Sequence, residues 1–185
     1  MTMPAADESF GIRIDRTFAF VDLCGFTDYV DTNGDEAAIE QLEVLRSTVR
    51  RVASRCGVRV DKWLGDGAMV VGTQVGPLVT AIVMIKERMD ERQAALAVRA
   101  GVARGLVILH EGDNYVGRAV NLAARLCDHA QASEILASVD GLELPPGVEA
   151  GPPESVHVKG LARPAICVSV HQAGTGVPDR GRDER

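Results

Sequence analysis

A Gly-Asp-Gly reversal between two apolar runs constrains this chain more than any other segment. In VRVDKWLGDGAMVVG, Val58, Val60 and Leu64 lead into Gly65-Asp66-Gly67, and Met69, Val70 and Val71 lead out. Asp-Gly between apolar runs is a strong short-range hairpin signal, so strands are predicted near 57–63 and 68–73. Lys62, Trp63 and Asp66 lie at or near the tip, where side chains reach solvent. Asp66 alone reads as turn chemistry and Lys62 alone as a solvated strand lysine. Trp63, the only tryptophan, reads as packing.

Either side of the hairpin the apolar pattern changes period. TFAFVDL, residues 17–23, is a mostly apolar run of the buried-strand kind. After Asn33-Gly34 a helix is predicted, with Ile39, Leu42, Leu45, Val49 and Val52 on one face and Asp35 and Glu36 at its positive end. A second helix is predicted from Pro77 to Arg92, with Pro in its first turn and Leu78, Ile82, Ile85 and Met89 facing inward. The alternation of AVRAGVARGLV marks another strand, and the polar loop HEGDNY leads to a third helix starting near Gly117. Shorter strands are expected near 134–138, 155–159 and 165–171. Strand, helix, hairpin, helix, strand is the order of a ferredoxin-like βαββαβ sandwich, an α/β (α+β) fold with C-terminal additions.

The ends differ from this pattern. Residues 1–15 lack periodicity and read as a flexible lead-in, and 173–185, rich in Gly, Pro and charge, as a disordered tail. Residues 16–172 then form one domain. With 46% hydrophobic and 25% charged residues the chain is globular in type. A net charge of −6 argues against a nucleic-acid binder, which would carry a basic face. No apolar run is long enough to span a bilayer. Cys24, Cys56, Cys127 and Cys167 are scattered without paired ligand spacing and read as reduced thiols, with the cytoplasm as the default compartment.

Three further segments hold chemistry. In FAFVDLCGFTDYV, Asp22 interrupts an apolar strand and precedes Gly25-Phe26-Thr27, a tight turn with available N–H groups. Such a carboxylate either caps the turn or holds a divalent cation while the N–H groups take phosphate oxygens. Placed in one sheet, Asp22 and Asp66 lie at neighbouring chain reversals, and two carboxylates sharing metal ions suit phosphoryl chemistry. In GDNYVGRAVNLAARLCD, Asn121 and Arg125 are four apart and share a helix face; their donors suit phosphate and ribose oxygens. Arg99 and Lys159 are plausible phosphate contacts. His110 and His129 show no catalytic spacing.

In that order, FVDLCGFTDY, DKWLGDGAMV, VRAGVARG, YVGRAVNLAARL and VKGLARP resemble the motifs of class III nucleotidyl cyclases across roughly residues 17–171. The resemblance implies that Asp22 and Asp66 bind two Mg2+ or Mn2+ ions, assisted by the Leu23 carbonyl. It implies that Lys62 selects the base: an ammonium only donates, and adenine N1 is an acceptor, which points to ATP. The second base-selecting position falls on Asn114, with Asp113 adjacent, and either can serve. Asn121 would orient the ribose, Arg125 would stabilise the transition state, and Arg99 and Lys159 would bind triphosphate. The implied reaction converts ATP to 3′,5′-cyclic AMP and pyrophosphate in a head-to-tail homodimer with shared sites. Two alternatives stand beside it, a guanylate or relaxed-specificity cyclase and a degenerate cyclase fold serving as a nucleotide-binding or dimerisation module.

Overall fold

The computed structural model describes residues 12–112, 114–158 and 163–175. Its elements run β1 (Ile12–Leu23), α1 (Phe26–Cys56), β2 (Arg59–Leu64), β3 (Gly67–Gly72), α2 (Val75–Glu91), β4 (Val98–His110), β5 (Asn114–Val116), α3 (Arg118–His129), β6 (Ile135–Ser138), β7 (Val148–Ala150), β8 (Glu154–Val156) and β9 (Ala165–Gln172). The sheet order is β2-β3-β1-β4-β6-β9-β7, with β5 on β4 and β8 on β9. Its first four strands have the predicted ferredoxin-like arrangement.

Strand alternation divides the core into two layers. Ala19, Val21, Leu23, Val98, Ala100 and Val102 face α1 and α2, whose Leu45, Val49, Val52, Leu78, Ile82 and Ile85 cover them. Phe18, Met69, Val71, Ala103 and Val107 face the other way, against Leu122, Ala123 and Leu126 of α3. Helix α3 lies almost in backbone contact with β4. A Cβ on Gly101 would sit 2.2 Å from both the Ala123 carbonyl oxygen and the Cys127 nitrogen.

Four elements differ from expectation. Helix α1 begins at Phe26, not after Asn33-Gly34: Gly25, at φ 71°, turns the chain directly out of β1 into the helix, and Gly34 (φ 83°, ψ 169°) is a kink inside it. The expected tight turn at 25–27 is thus a helix entry. Strand β1 begins at Ile12, so 12–15 belong to a strand rather than a lead-in. They pair with β4 through Ile12↔Leu109 to Asp15↔Leu106, and this outer half of the strand carries no sustained apolar alternation to announce it. Asn114–Val116 folds back on β4 instead of staying loop. Short β7, on the edge of β9, had no apolar run to mark it. The lead-in before residue 12 and the tail from 176 lie outside the described residues; 173–175 form a turn closed by Thr175 N–H to the Gln172 carbonyl, 3.2 Å, and tied down by Ala173 N–H to the Gly147 carbonyl, 2.9 Å.

Candidate active site

The central strands bring three sequence segments into one row. Asp22 on β1 is in register with Gly67 on β3 and with Arg99 on β4. Gly67 is needed there, because a Cβ would lie 2.6 Å from the Val21 carbonyl oxygen and 3.2 Å from Asp22 Oδ1. Asp66, one residue earlier in the β2–β3 turn, is thereby brought beside the Asp22 carboxylate. The turn suits its residues: Gly65 takes φ 63°, and the two-residue connection has glycine at its first central position.

Arg99 donates to Asp22 Oδ2 from Nη2 at 2.7 Å and from Nε at 3.0 Å. Burial nevertheless holds the Asp22 carboxyl above its ordinary value; the guanidinium offsets the repulsion from Asp66 and Asp128 but not the loss of water. Burial works against the Arg99 charge as well, but Asp22 outweighs it and the arginine stays firmly protonated. Two carboxylates crowd one site with a single guanidinium in contact, an arrangement that favours a further cation. Among the described residues no group of three or more His, Cys, Asp or Glu forms a closed metal cage. The donor set still suits Mg2+, which takes one or two carboxylates and completes its shell with water and substrate phosphates.

Helix α1 starts just beyond Asp22. Its first intrahelical bond runs from the Tyr29 N–H to the Gly25 carbonyl, 3.0 Å, and its entry has no side-chain cap. The N–H groups of Phe26 and Thr27 therefore have no intrahelical acceptor, as at helix N-termini that receive anions.

From the other side, α3 contributes Asp128. Its carbonyl accepts from Arg99 Nη1 at 3.1 Å, and its carboxylate pairs with Arg125 Nη1 at 3.1 Å. Asp128 thus connects Arg99 to Arg125, a link sequence reasoning missed; only its place three residues after Arg125 could have suggested it. Asn121 and Arg125 are exposed on α3. Cys127 lies under this corner with its Sγ 3.7 Å from the Arg99 carbonyl. Burial pushes its thiol well up, so it packs as a neutral group.

Lys62 and Asn114 form a second group. The Lys62 ammonium donates to Asn114 Oδ1 at 2.6 Å. Tyr115 holds β5 in place: its ring meets Phe18 edge-on at 5.2 Å, and its hydroxyl accepts from Arg59 Nη2 at 2.8 Å. Arg59 also pairs with Asp61. Among the described residues no hydrogen bond or ion pair joins Lys62 and Asn114 to the Asp22 group. Asp113 and Lys159 lie outside the described residues. A cavity of about 660 Å³ opens elsewhere, between Cys56, Pro77, Met84 and Pro145, and contains none of the expected site residues.

No protein-family model matches the chain. It is 33% identical over 152 residues to an uncharacterized protein of Mycobacterium tuberculosis (strain ATCC 25618 / H37Rv), covering 82% of this chain and 40% of that protein. It is 29% identical over 137 residues to an adenylate cyclase of Streptomyces griseus, covering 74% and 34% respectively. The chain therefore spans two fifths or less of these relatives' lengths. Among solved structures, the adenylyl cyclase CyaB from P. aeruginosa superposes with a TM-score of 0.73 at 25% identity, covering 90% of this chain and 98% of that one. The guanylyl cyclase Cya2 superposes with a TM-score of 0.74 at 23% identity, covering 92% and 97%. No helix among the described residues is long and apolar enough to cross a membrane. With the sheet order, the Asp22–Gly67–Arg99 row and these relatives together, the chain belongs to the class III nucleotidyl cyclases as a catalytic domain of the adenylyl or guanylyl type.

Proposed function

We propose that the chain is an adenylate cyclase domain that converts ATP to 3′,5′-cyclic AMP and pyrophosphate at sites shared across a head-to-tail homodimer. The observation that carries this reading is the crowded pair Asp22 and Asp66, the second in the turn just before Gly67, which packs against Asp22 across the strands. Asp22, Asp66 and the Leu23 carbonyl would hold two divalent cations, Mg2+ or Mn2+. Bound there, such ions neutralise triphosphate charge and lower the pKa of the attacking 3′-hydroxyl.

The chain's own groups have separate tasks. The free N–H groups at Gly25-Phe26-Thr27 receive phosphate oxygens, and Arg99, with Lys159, binds the triphosphate. Lys62 donates to adenine N1, while Asn114 or Asp113 accepts from the adenine amino group. Asn121 orients the ribose, and Arg125 stabilises charge developing at the α-phosphate. Arg125 must leave Asp128 to do so, and an exposed pair of this kind is cheap to open.

Both half-sets occur in one chain, and its Lys62 and Asn114 stand apart from the Asp22 group, which supports two equivalent sites in a dimer. Asp22, Asp66 and Arg99 would come from one subunit. Lys62, Asn121, Arg125, Lys159 and Asp113 or Asn114 would come from its partner. A second reading, relaxed purine specificity, is favoured by the Lys62–Asn114 bond. The amide oxygen is occupied by Lys62, and the amide nitrogen is a donor that can meet guanine O6. Cyclic-nucleotide turnover with ATP and with GTP, across protein concentration, tests both readings. Product formation unaffected by Asp22→Ala would refute the carboxylate assignment.

A further inference from the structure

Trp63 stands between Lys62 and Asp66 in sequence but points the other way. In β2, Lys62 lies opposite Met69, which faces α3, whereas Trp63 lies opposite Ala68, which faces α1. On that side two arginines of α1 converge on its ring. The Arg46 guanidinium is 5.4 Å from the ring centroid and that of Arg50 is 5.2 Å, both within the ~6 Å reach of a cation–π contact. Arg46 Nη2 also reaches the carbonyl of Gly65 in the turn, at 3.4 Å. Among the described residues neither arginine has an acidic partner, and Arg46 Nε is buried without an acceptor.

Two like charges four apart on a helix repel one another, so placing both on one indole is not how a helix is most simply stabilised. The strand also needs external fixing here. The β2–β3 register shifts between Val60 and Lys62, and such bulges interrupt the ladder and re-aim the next side chain.

We infer that Arg46, Trp63 and Arg50 form a clamp that ties the hairpin tip to α1 and sets the positions of both Lys62 and Asp66. The three are positioning residues and touch neither nucleotide nor metal. The roles of Lys62 and Asp66 rest on the proposed function. In a head-to-tail dimer those two side chains serve different sites, so one clamp governs base reading in one and cation holding in the other.

The test uses the full chain. In Arg46→Met/Arg50→Met the apolar stems remain and the cations go. Trp63→Phe keeps an aromatic ring, and Trp63→Leu keeps only apolar bulk. Melting by circular dichroism establishes which variants fold. Mn2+ affinity is read without turnover, from the electron paramagnetic resonance signal of free Mn2+. The double arginine variant, which loses both cation–π contacts, should bind Mn2+ about fivefold more weakly and show an ATP KM about fivefold higher, the size expected when about 1 kcal/mol of that contact energy had gone into positioning. Trp63 emission in that variant should become more open to acrylamide. Phe should restore most of the function that Leu loses. Unchanged Mn2+ affinity and KM in a folded double variant, or Leu performing as well as Phe, would overturn the clamp; so would Mn2+ binding indifferent to Asp66→Ala. If the double variant does not fold, the Phe–Leu comparison decides. Parent protein that binds Mn2+ through Asp66 yet makes no cyclic nucleotide refutes the proposed function, and the Mn2+ and acrylamide measurements still judge the clamp.

Discussion

Gly101→Ala should separate the packing of α3 from the rest of the domain. The added Cβ would meet the Ala123 carbonyl oxygen and the Cys127 nitrogen at 2.2 Å and the Leu126 carbonyl carbon at 2.8 Å. All three are helix backbone, which no rotamer change can move. Restoring ordinary contact near 3.4 Å requires α3 to retreat from β4 by about 1.2 Å. Overpacking of this kind costs about 3 kcal/mol at the upper end of its usual range, or about 6–12 °C of melting temperature for a domain of this size. On the proposed function the same displacement would carry Asn121 and Arg125 away from the α-phosphate, and misplacement by about 1 Å can cost 10²-fold in rate. Lys62 and Asn114 are not on α3, so KM for ATP should change far less than kcat. Gly105→Ala is the control: its Cβ meets only the Ala119 side chain, at 3.3 Å. Calorimetric melting and steady-state kinetics on both variants make the comparison. A Gly101→Ala protein melting within about 2 °C of the parent, or losing activity mainly through KM, would refute the reasoning.

Mixing Lys62→Glu chains with Asp66→Ala chains should recover part of the activity that each lacks alone, because one site per mixed dimer keeps both residues; no recovery in verified mixed dimers would sink the shared site. Asn114→Asp should shift the ATP-to-GTP ratio of kcat/KM toward ATP by about tenfold, the worth of one hydrogen bond to a charged group; an unchanged ratio removes Asn114 from base reading. Burial holds the Asp22 carboxyl above 3.8, so its contribution to stability is fully present below 3.8 and is lost as pH rises through the higher folded value. Asp22→Asn should therefore gain in melting temperature relative to the parent as pH rises through that window. Added Mn2+ should raise the melting temperature of the parent and leave the variant unmoved.

The fold was legible wherever burial imposes a period. TFAFVDL and β3 announce their strands because both of their faces pack, edge strand β2 is legible only through the turn that joins it to β3, and α2 announces itself through Leu78, Ile82, Ile85 and Met89, all buried. The outer half of β1 and the short β7 were not legible, because their pairing uses backbone groups that carry no residue signature. The start of α1 was misread for a related reason. Asn33-Gly34 has the composition of a boundary, but the helix continues past a kink there, and the real entry is the left-handed Gly25. In the site, residue types that stand out against an apolar background, such as Asp22 and Arg99, could be picked from sequence. Asp128 could not, since a carboxylate on an exposed helix end looks like any solvated charge.

The register explains why the Asp22 corner is assembled from distant segments yet needs no flexible loop to do it. Asp22, Gly67 and Arg99 are neighbours across three adjacent strands, so the spacing between carboxylate and guanidinium is set by the sheet itself. That rigidity has a consequence for substrate entry. Arg99 cannot both keep its two contacts to Asp22 Oδ2 and place the same N–H groups on a triphosphate. A cation arriving at Asp22 would take over the charge that Arg99 now balances and free the guanidinium for phosphate. Cation and nucleotide should therefore bind with positive coupling, each raising the other's affinity by the same factor. Arg99→Met should reduce that coupling while leaving Mn2+ binding alone intact or stronger, as measured by Mn2+ titration with and without a non-cyclising ATP analogue. Equal coupling in parent and variant would mean that the Asp22–Arg99 pair is only a structural brace.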